Sequence, residues 1–231
     1  MSCRSKAAAA AIVLTVCGAV VCGASVWGGA TALAGSPAAP QTGPVQLAQA
    51  HTAQAWPEAG TFISSLAHTA ITGLTDKTLS PEEREQRFRT LLTTDFDIPE
   101  IARFVLGRYW RVATPDERTQ YTKLFEDYIV QIYSSRFQDY GGETLKVTSA
   151  YRDDDGAFVS SSLFRPSGPP VKVDWRLRPQ APTFKIVDIM VEGVSMSVTQ
   201  RDDFAAAIQE HGGKVAGLID LLRQKVQTAA K

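Results

Sequence analysis

Cysteine is almost absent. Cys3, Cys17 and Cys22 are the only three in 231 residues, and all lie in the first 22 positions, so the chain beyond them forms no disulfide, thiolate metal site or cysteine nucleophile. An excess of charge is missing too. The 24 lysines and arginines stand against 24 aspartates and glutamates, which argues against nucleic-acid binding, where a basic excess is the rule. Histidine is scarce: His51, His68 and His211 are far apart, each beside polar neighbours. No HExxH, CxxC, GxSxG or phosphate-loop pattern occurs. Acid–base chemistry would have to assemble from distant positions, so binding is the better default, and no cofactor is expected.

One uncharged apolar run is present, from Ala7 to Trp27, after a start that carries Arg4 and Lys6. Small residues follow with Ala-x-Ala spacing at Ala30/Ala32 and Ala32/Ala34. A basic start, an apolar core and a small-residue exit describe a secretory signal peptide, expected over 1–34. An uncleaved inner-membrane anchor is the alternative, because about 20 apolar residues can cross a bilayer. Val16 and Val21 precede Cys17 and Cys22, where a lipoprotein exit needs a small residue. Loss of Arg4 and Lys6 leaves 22 basic against 24 acidic residues, a net of −2. Residues 35–56, rich in Ala, Pro, Gln and Gly and without charge, read as a flexible linker. A single α+β domain is expected over 57–228, long enough for one core and a pocket.

The first half of that domain is punctuated as helices. Phe62, Leu66, Ala70 and Leu74 recur at helical spacing and predict a helix from Pro57 to Thr75. Ser80-Pro81-Glu82-Glu83 supplies an N-cap, a first-turn proline and a capping-box glutamate for a helix with Phe88, Leu91 and Leu92 inward. Asp97 and Pro99 open a third segment, ended or bent at Gly107. Thr114-Pro115-Asp116-Glu117 repeats the capping grammar. The helix it opens carries Tyr121, Leu124, Phe125, Tyr128, Ile129, Ile132, Tyr133, Phe137 and Tyr140, and Gly141-Gly142 stops it. That wide stripe is either core or the wall of a cavity.

From Glu143 the hydrophobic period changes to two. Strands are expected from Leu145 to Tyr151, Ala157 to Phe164, Val171 to Arg178 and Phe184 to Val191, an antiparallel four-stranded meander with helices on one face. Asp153-Asp154-Asp155-Gly156 reads as a turn, since the downstream glutamate of a calcium loop is missing. Ser197 or Thr199 then caps a helix bearing Phe204 and Ile208, ended by Gly212-Gly213. Val215, Leu218, Ile219, Leu222 and Val226 mark a last amphipathic helix. Glu82/Glu83 and Asp202/Asp203 fall in first helical turns, where the helix dipole explains acids.

The segment from Phe96 to Val147, with "LGRYWR" and "ATPDER", and the later "VEGVSM" with Arg201 and Phe204, resemble the MlaC (toluene-tolerance) family of periplasmic phospholipid-binding ABC-transport proteins. The resemblance covers Phe62 to Leu222. "EGVSMSVTQRDDF" is similar to the hopanoid-cluster-associated branch of that family. Thr199-Gln200 departs from a pattern in which an aromatic and an asparagine precede the arginine, and the departure bears on the ligand's identity. The resemblance implies a cystatin/NTF2-like fold, with the four-stranded sheet and helices around an apolar cavity. It implies a phospholipid or related ligand, an inner-membrane ABC transporter with a membrane-anchored lipid-binding subunit, and an outer-membrane lipoprotein complex as partners.

A cavity between the dry face of the sheet and the helices would be lined by Val147, Val159, Val173, Trp175, Leu177, Ile189 and Val191 from strands. Phe104, Trp110, Phe125, Tyr128, Ile129 and Ile132 would line it from helices. For each, ordinary core is the competing assignment. Arg103, Arg108 and Arg111 cluster around "LGRYWR" and are candidates to meet a headgroup or an acidic partner. A carrier for hopanoid or another small apolar molecule and a cystatin-like enzyme are the alternative functions. The enzyme would draw on Asp174 or Asp188, although alternation puts Asp174 on the wet face.

Overall fold

Proline and short polar caps set the helix starts. The computed structural model describes residues 54–154 and 156–229. The expected leader and nearly all of the expected linker lie outside the described residues. Helix α1 spans Pro57–Leu74, α2 Pro81–Asp95, α3 Ile98–Leu106, α4 Tyr109–Val112 and α5 Pro115–Ser134. Both capping boxes form: Ser80 Oγ accepts from Glu83 N while the Glu83 carboxylate accepts from Ser80 N, and Thr114 and Glu117 do the same for α5. Asp97 caps α3 by accepting from Glu100 N. The long stripe does not stay α-helical to Tyr140. After Ser134 the chain tightens into a 3-10 segment, Ser135–Asp139.

The sheet follows as a meander of β1 (Thr144–Asp153), β2 (Gly156–Phe164), β3 (Val171–Gln180), β4 (Thr183–Val191) and β5 (Val194–Ser195), neighbours in that order and all antiparallel. The sheet has five strands, not four. The fifth is two residues long, too short to show alternation, and Glu192 and Gly193 make its turn with φ of 50° and 82°. Gly193 supplies a backbone conformation that other residues adopt at a cost. A bulge at Thr148 resets the phase of β1, so Val147 and Ala150 share the inner face. Helix α6, Met196–Glu210, starts directly from β5. Its N-cap is Ser195, which accepts from Val198 N, rather than Ser197 or Thr199. Helix α7 spans Val215–Ala229.

Helices cover one face of the sheet, and the core beneath them is divided. A helical cluster joins Phe88, Leu92, Val105, Tyr121, Phe125, Phe204, Ile208, Leu218 and Leu222. A second cluster seats Ala59, Ile63 and Leu66 of α1 on Ala157, Val159, Leu177, Phe184 and Ile186. Leu91 and Phe96 pack against both. At Gly60 the helix lies so near β1 that a side-chain carbon would stand 3.3 Å from the Ala150 methyl. Arg84, 3% exposed, is held by the α1 C-terminus: its Nε donates to Leu74 O and its Nη2 to Asp76 O, both at 2.9 Å. Charge at a helix C-terminus is stabilising for a cation, and here the guanidinium satisfies carbonyls that the helix leaves open. The outer sheet face corrects one expectation. Asp174 does face away from the helices, but it is not wet. It is 3% exposed, with one carboxylate oxygen 2.8 Å from Lys172 Nζ.

Candidate functional site

Between the two clusters is a cavity of about 380 Å³, within the range of roughly 300–1,000 Å³ common for small-molecule sites. Helix α1 contributes Leu66, Ala67, Ala70 and Ile71, and α2 contributes Phe88, Leu91 and Leu92. Phe96 and Ile98, Ile101 and Val105 of α3 continue the wall, and Phe125, Ile129 and Tyr133 of α5 form another side. The floor is Leu145, Leu163, Val173, Trp175, Ile186, Ile189 and Val191 of the sheet. Alanines at positions 67 and 70 leave room where larger residues would close the gap.

The stripe on α5 serves two purposes. Phe125, Ile129, Tyr133 and, beyond the helix, Phe137 follow one another at steps of four along the cavity. Tyr121, Phe125 and Tyr128 instead surround Phe204 with ring centres about 6 Å apart: 6.2, 6.2 and 6.0 Å. Tyr121 is fully buried and its hydroxyl donates to Ala102 O at 3.1 Å. Burial pushes its phenol, and those of Tyr128 and Tyr133, above the usual range.

Polar residues of the lining sit where β1 and β3 begin and β2 and β4 end, which antiparallel pairing places at one end of the sheet. Arg136, Tyr140 and Glu143 stand on the β1 side; Asp188, Ser197, Thr199 and Gln200 stand on the β4 side. Asp188 braces that corner. Its Oδ2 accepts from Ser195 Oγ at 2.6 Å, and its Oδ1 accepts from Ser197 N at 3.1 Å and Ile189 N at 2.9 Å. Ser195 Oγ in turn accepts from Val198 N. A carboxylate so occupied is a structural brace, and Asp174 is on the far side of the sheet. Among the described residues no group of three or more His, Cys, Asp or Glu is placed to hold a metal.

Of the residues singled out from sequence, Phe125, Ile129, Val173, Trp175, Ile189 and Val191 line the cavity. Val159 and Leu177 point to the same sheet face but are roofed by α1 in the second cluster. Val147 lies beside Gly60, next to α1. Tyr128 packs on Phe204, and Ile132 is half-buried outside the lining. Trp110 lies under the Arg118 guanidinium, 5.4 Å from its ring centre. Phe104 is 42% exposed and faces outward, covered by Arg201 at 4.8 Å. Arg103, Arg108 and Arg111 are exposed and outside the lining. Arg103 stands 3.6 Å from Glu100, and Arg108 donates to the Tyr109 hydroxyl at 2.9 Å. The contributions of α1 and α2 were missed, because an apolar helical stripe does not reveal whether it meets a neighbour or a void.

Fold and site define an α+β protein built around an apolar cavity between an antiparallel meander and a helical layer. The family model of the MlaC protein matches residues 65–224, which spans most of the elements that wall this cavity. The chain belongs to the MlaC family. It is 26% identical over 114 residues to the toluene tolerance protein ttg2D of Pseudomonas putida, a match over 49% of this chain and 53% of that protein. The matched stretch thus spans about half the length of that relative. A solved phospholipid-binding protein from Ralstonia solanacearum, determined in complex with a phospholipid, shares the fold with a TM-score of 0.67 at 22% identity. That likeness covers 75% of this chain and 99% of the other.

Proposed function

We propose that the protein is a periplasmic lipid carrier that shelters phospholipid tails in its cavity. It would shuttle the lipid between inner and outer membrane as the soluble component of an Mla-type ABC transport system. The observation that carries the reading is an apolar cavity, polar at one end, in a chain of the MlaC family. The phospholipid complex of the Ralstonia protein, which shares the fold, supports it. The physical need is large. Exposing acyl chain to water costs about 0.8 kcal/mol per methylene, so two ordinary chains cost roughly 20 kcal/mol or more. A cavity walled by aliphatic and aromatic groups offsets that cost without covalent chemistry.

Among the described residues no helix is long and apolar enough to cross a membrane. An inner-membrane ABC transporter with its anchored lipid-binding subunit would load or unload the protein, and an outer-membrane lipoprotein complex would do the opposite. Arg103, Arg108 and Arg111, exposed around α4, offer a basic surface to an acidic partner. Lipid extraction and mass spectrometry of protein purified from its native periplasm test the carrier reading. Co-purified phospholipid is the expected result. A hopanoid in its place would move the assignment to the hopanoid-associated branch, and protein free of any lipid would sink the carrier reading.

A further inference from the structure

Several polar groups on the cavity wall are held by the protein itself. Asp188 is saturated as described, the Tyr140 hydroxyl donates to Glu143 O at 2.8 Å, and Thr199 Oγ1 donates to Ser195 O at 2.9 Å. Glu143 is held at one oxygen only, Oε2 accepting from Gly141 N at 2.8 Å while Oε1 is buried without a partner. Among the potential donors, three side chains are unengaged. The Tyr133 hydroxyl, the Ser197 hydroxyl and the Gln200 amide belong to lining residues, yet make no hydrogen bond with any described residue. Ser197 is 7% exposed, and Tyr133 and Gln200 are half-buried. They come from two walls, Tyr133 from the last turns of α5 and the other two from the first turns of α6.

None of these three polar atoms is sealed from solvent, so each faces the cavity open to whatever fills it. A ligand group filling the cavity is a ready hydrogen-bond partner for them. Its chemistry follows from what the three have in common. Each can donate a hydrogen bond and none is charged, whereas a phosphate is normally met by a charged group, which the lining supplies in Arg136 just beyond Tyr133. A neutral acceptor in a low-dielectric setting fits, and in a lipid that acceptor is the ester carbonyl.

Position agrees with this chemistry. Along the α5 side the lining runs Phe125, Ile129, Tyr133 and then Arg136, Tyr140 and Glu143. Tyr133 thus stands at the change from hydrocarbon wall to polar wall, with the Arg136 guanidinium carbon 5.6 Å from its ring centre. In an acylated lipid the ester groups occupy the same boundary. We infer, resting on the carrier reading above, that Tyr133, with Ser197 and Gln200 on a second wall, hydrogen-bonds the ester carbonyls at the neck of the bound lipid. The cavity then selects ester-linked glycerolipids over ether lipids of equal girth.

The test needs purified protein and two probes at trace level in phosphatidylcholine vesicles: dipalmitoyl phosphatidylethanolamine and its dihexadecyl ether counterpart. Equilibrium uptake is measured for wild type, Tyr133→Phe and Ser197→Ala. Wild type takes the diester about 3- to 10-fold better, the range set by one net hydrogen bond. Tyr133→Phe, which keeps the ring, loses a similar factor on the diester and nothing on the diether; Ser197→Ala shifts the same way. Equal uptake of both lipids by wild type, which requires no variant to fold, overturns the assignment and leaves the carrier reading standing. So does an equal loss on both lipids in Tyr133→Phe, or a hydroxylated triterpenoid that displaces the diester. Uptake of none of these probes overturns the carrier reading and this inference together.

Discussion

Asp188 is where the structure makes its sharpest quantitative demand. The residue joins β4, β5 and the start of α6 through three accepted hydrogen bonds, from Ser195 Oγ, Ser197 N and Ile189 N. Two of these cross from β4 to the cap of α6, and that corner holds Met196, Ser197, Thr199 and Gln200 on the cavity wall. Hydrogen bonds to a charged group are worth about 1.5–3 kcal/mol each. The Ile189 bond is local to the strand and adds little. Asp188→Ala should therefore cost about 3 kcal/mol, which for a domain of this size lowers Tm by roughly 6–12 °C. Asp188→Asn is a different perturbation. The amide oxygen still accepts from Ser197 N and Ile189 N, and the amide nitrogen can donate to Ser195 Oγ, whose second lone pair is open. About 1 kcal/mol, or roughly 2–4 °C, is expected. Urea unfolding and calorimetry of the two variants measure the difference. Equal costs for Ala and Asn would mean that the negative charge, not the hydrogen-bond brace, is what matters. An Ala variant as stable as wild type would show that the corner does not depend on Asp188 at all.

Three further outcomes are expected. Arg84→Met keeps the aliphatic stem but leaves the Leu74 and Asp76 carbonyls without their donor; a loss of about 2 kcal/mol in denaturant unfolding is expected, and an unchanged midpoint would count against the α1 clasp. Ile129→Asp puts a carboxylate on the apolar wall, so protein with native circular dichroism should carry at least about tenfold less extracted lipid; full lipid content would separate this cavity from ligand binding. Asp95 ends α2, where burial raises its carboxyl pKa above the usual value and Lys185 opposes the shift. The unfolded chain then ionises first as pH rises, and the folded state loses stability through the window just above the ordinary carboxylate range. Asp95→Asn should remove that loss, so its advantage over wild type grows between acid and neutral pH; a constant difference across that range would contradict the assignment.

Much of the architecture was legible because it is written in local chemistry. Ser80-Pro81-Glu82-Glu83 and Thr114-Pro115-Asp116-Glu117 start helices in the predicted places, since capping satisfies first-turn amides with residues three positions apart. The alternation of Val171, Val173, Trp175 and Leu177 put the right side of β3 inward. Phe204 and Ile208 face inward on α6 as their spacing requires. What escaped depends on partners distant in sequence or on very short elements. Strand β5 is too brief to carry a period, and the α6 cap Ser195 is hydrogen-bonded by Asp188, seven positions earlier on β4. Asp174 sits on the polar side of its strand and is nonetheless buried, with Lys172 paired to one of its oxygens. Arg84 reads as a solvated helix charge until α1 is seen to end against it.

The sequence by itself determined the order of helices and the first four strands, the capped helix starts and the dry face of β3, because capping, turn chemistry and hydrophobic period act within a few residues. Only the tertiary structure decided which dry residues meet one another and which face empty space. Val159 and Val173 are equivalent as sequence, both apolar and inward on neighbouring strands. Helix α1 roofs the first and leaves the second open to the cavity. A void is a property of the distance between elements, fixed by where Gly60 lets α1 settle on the sheet and where Leu91 and Phe96 prop the two clusters apart.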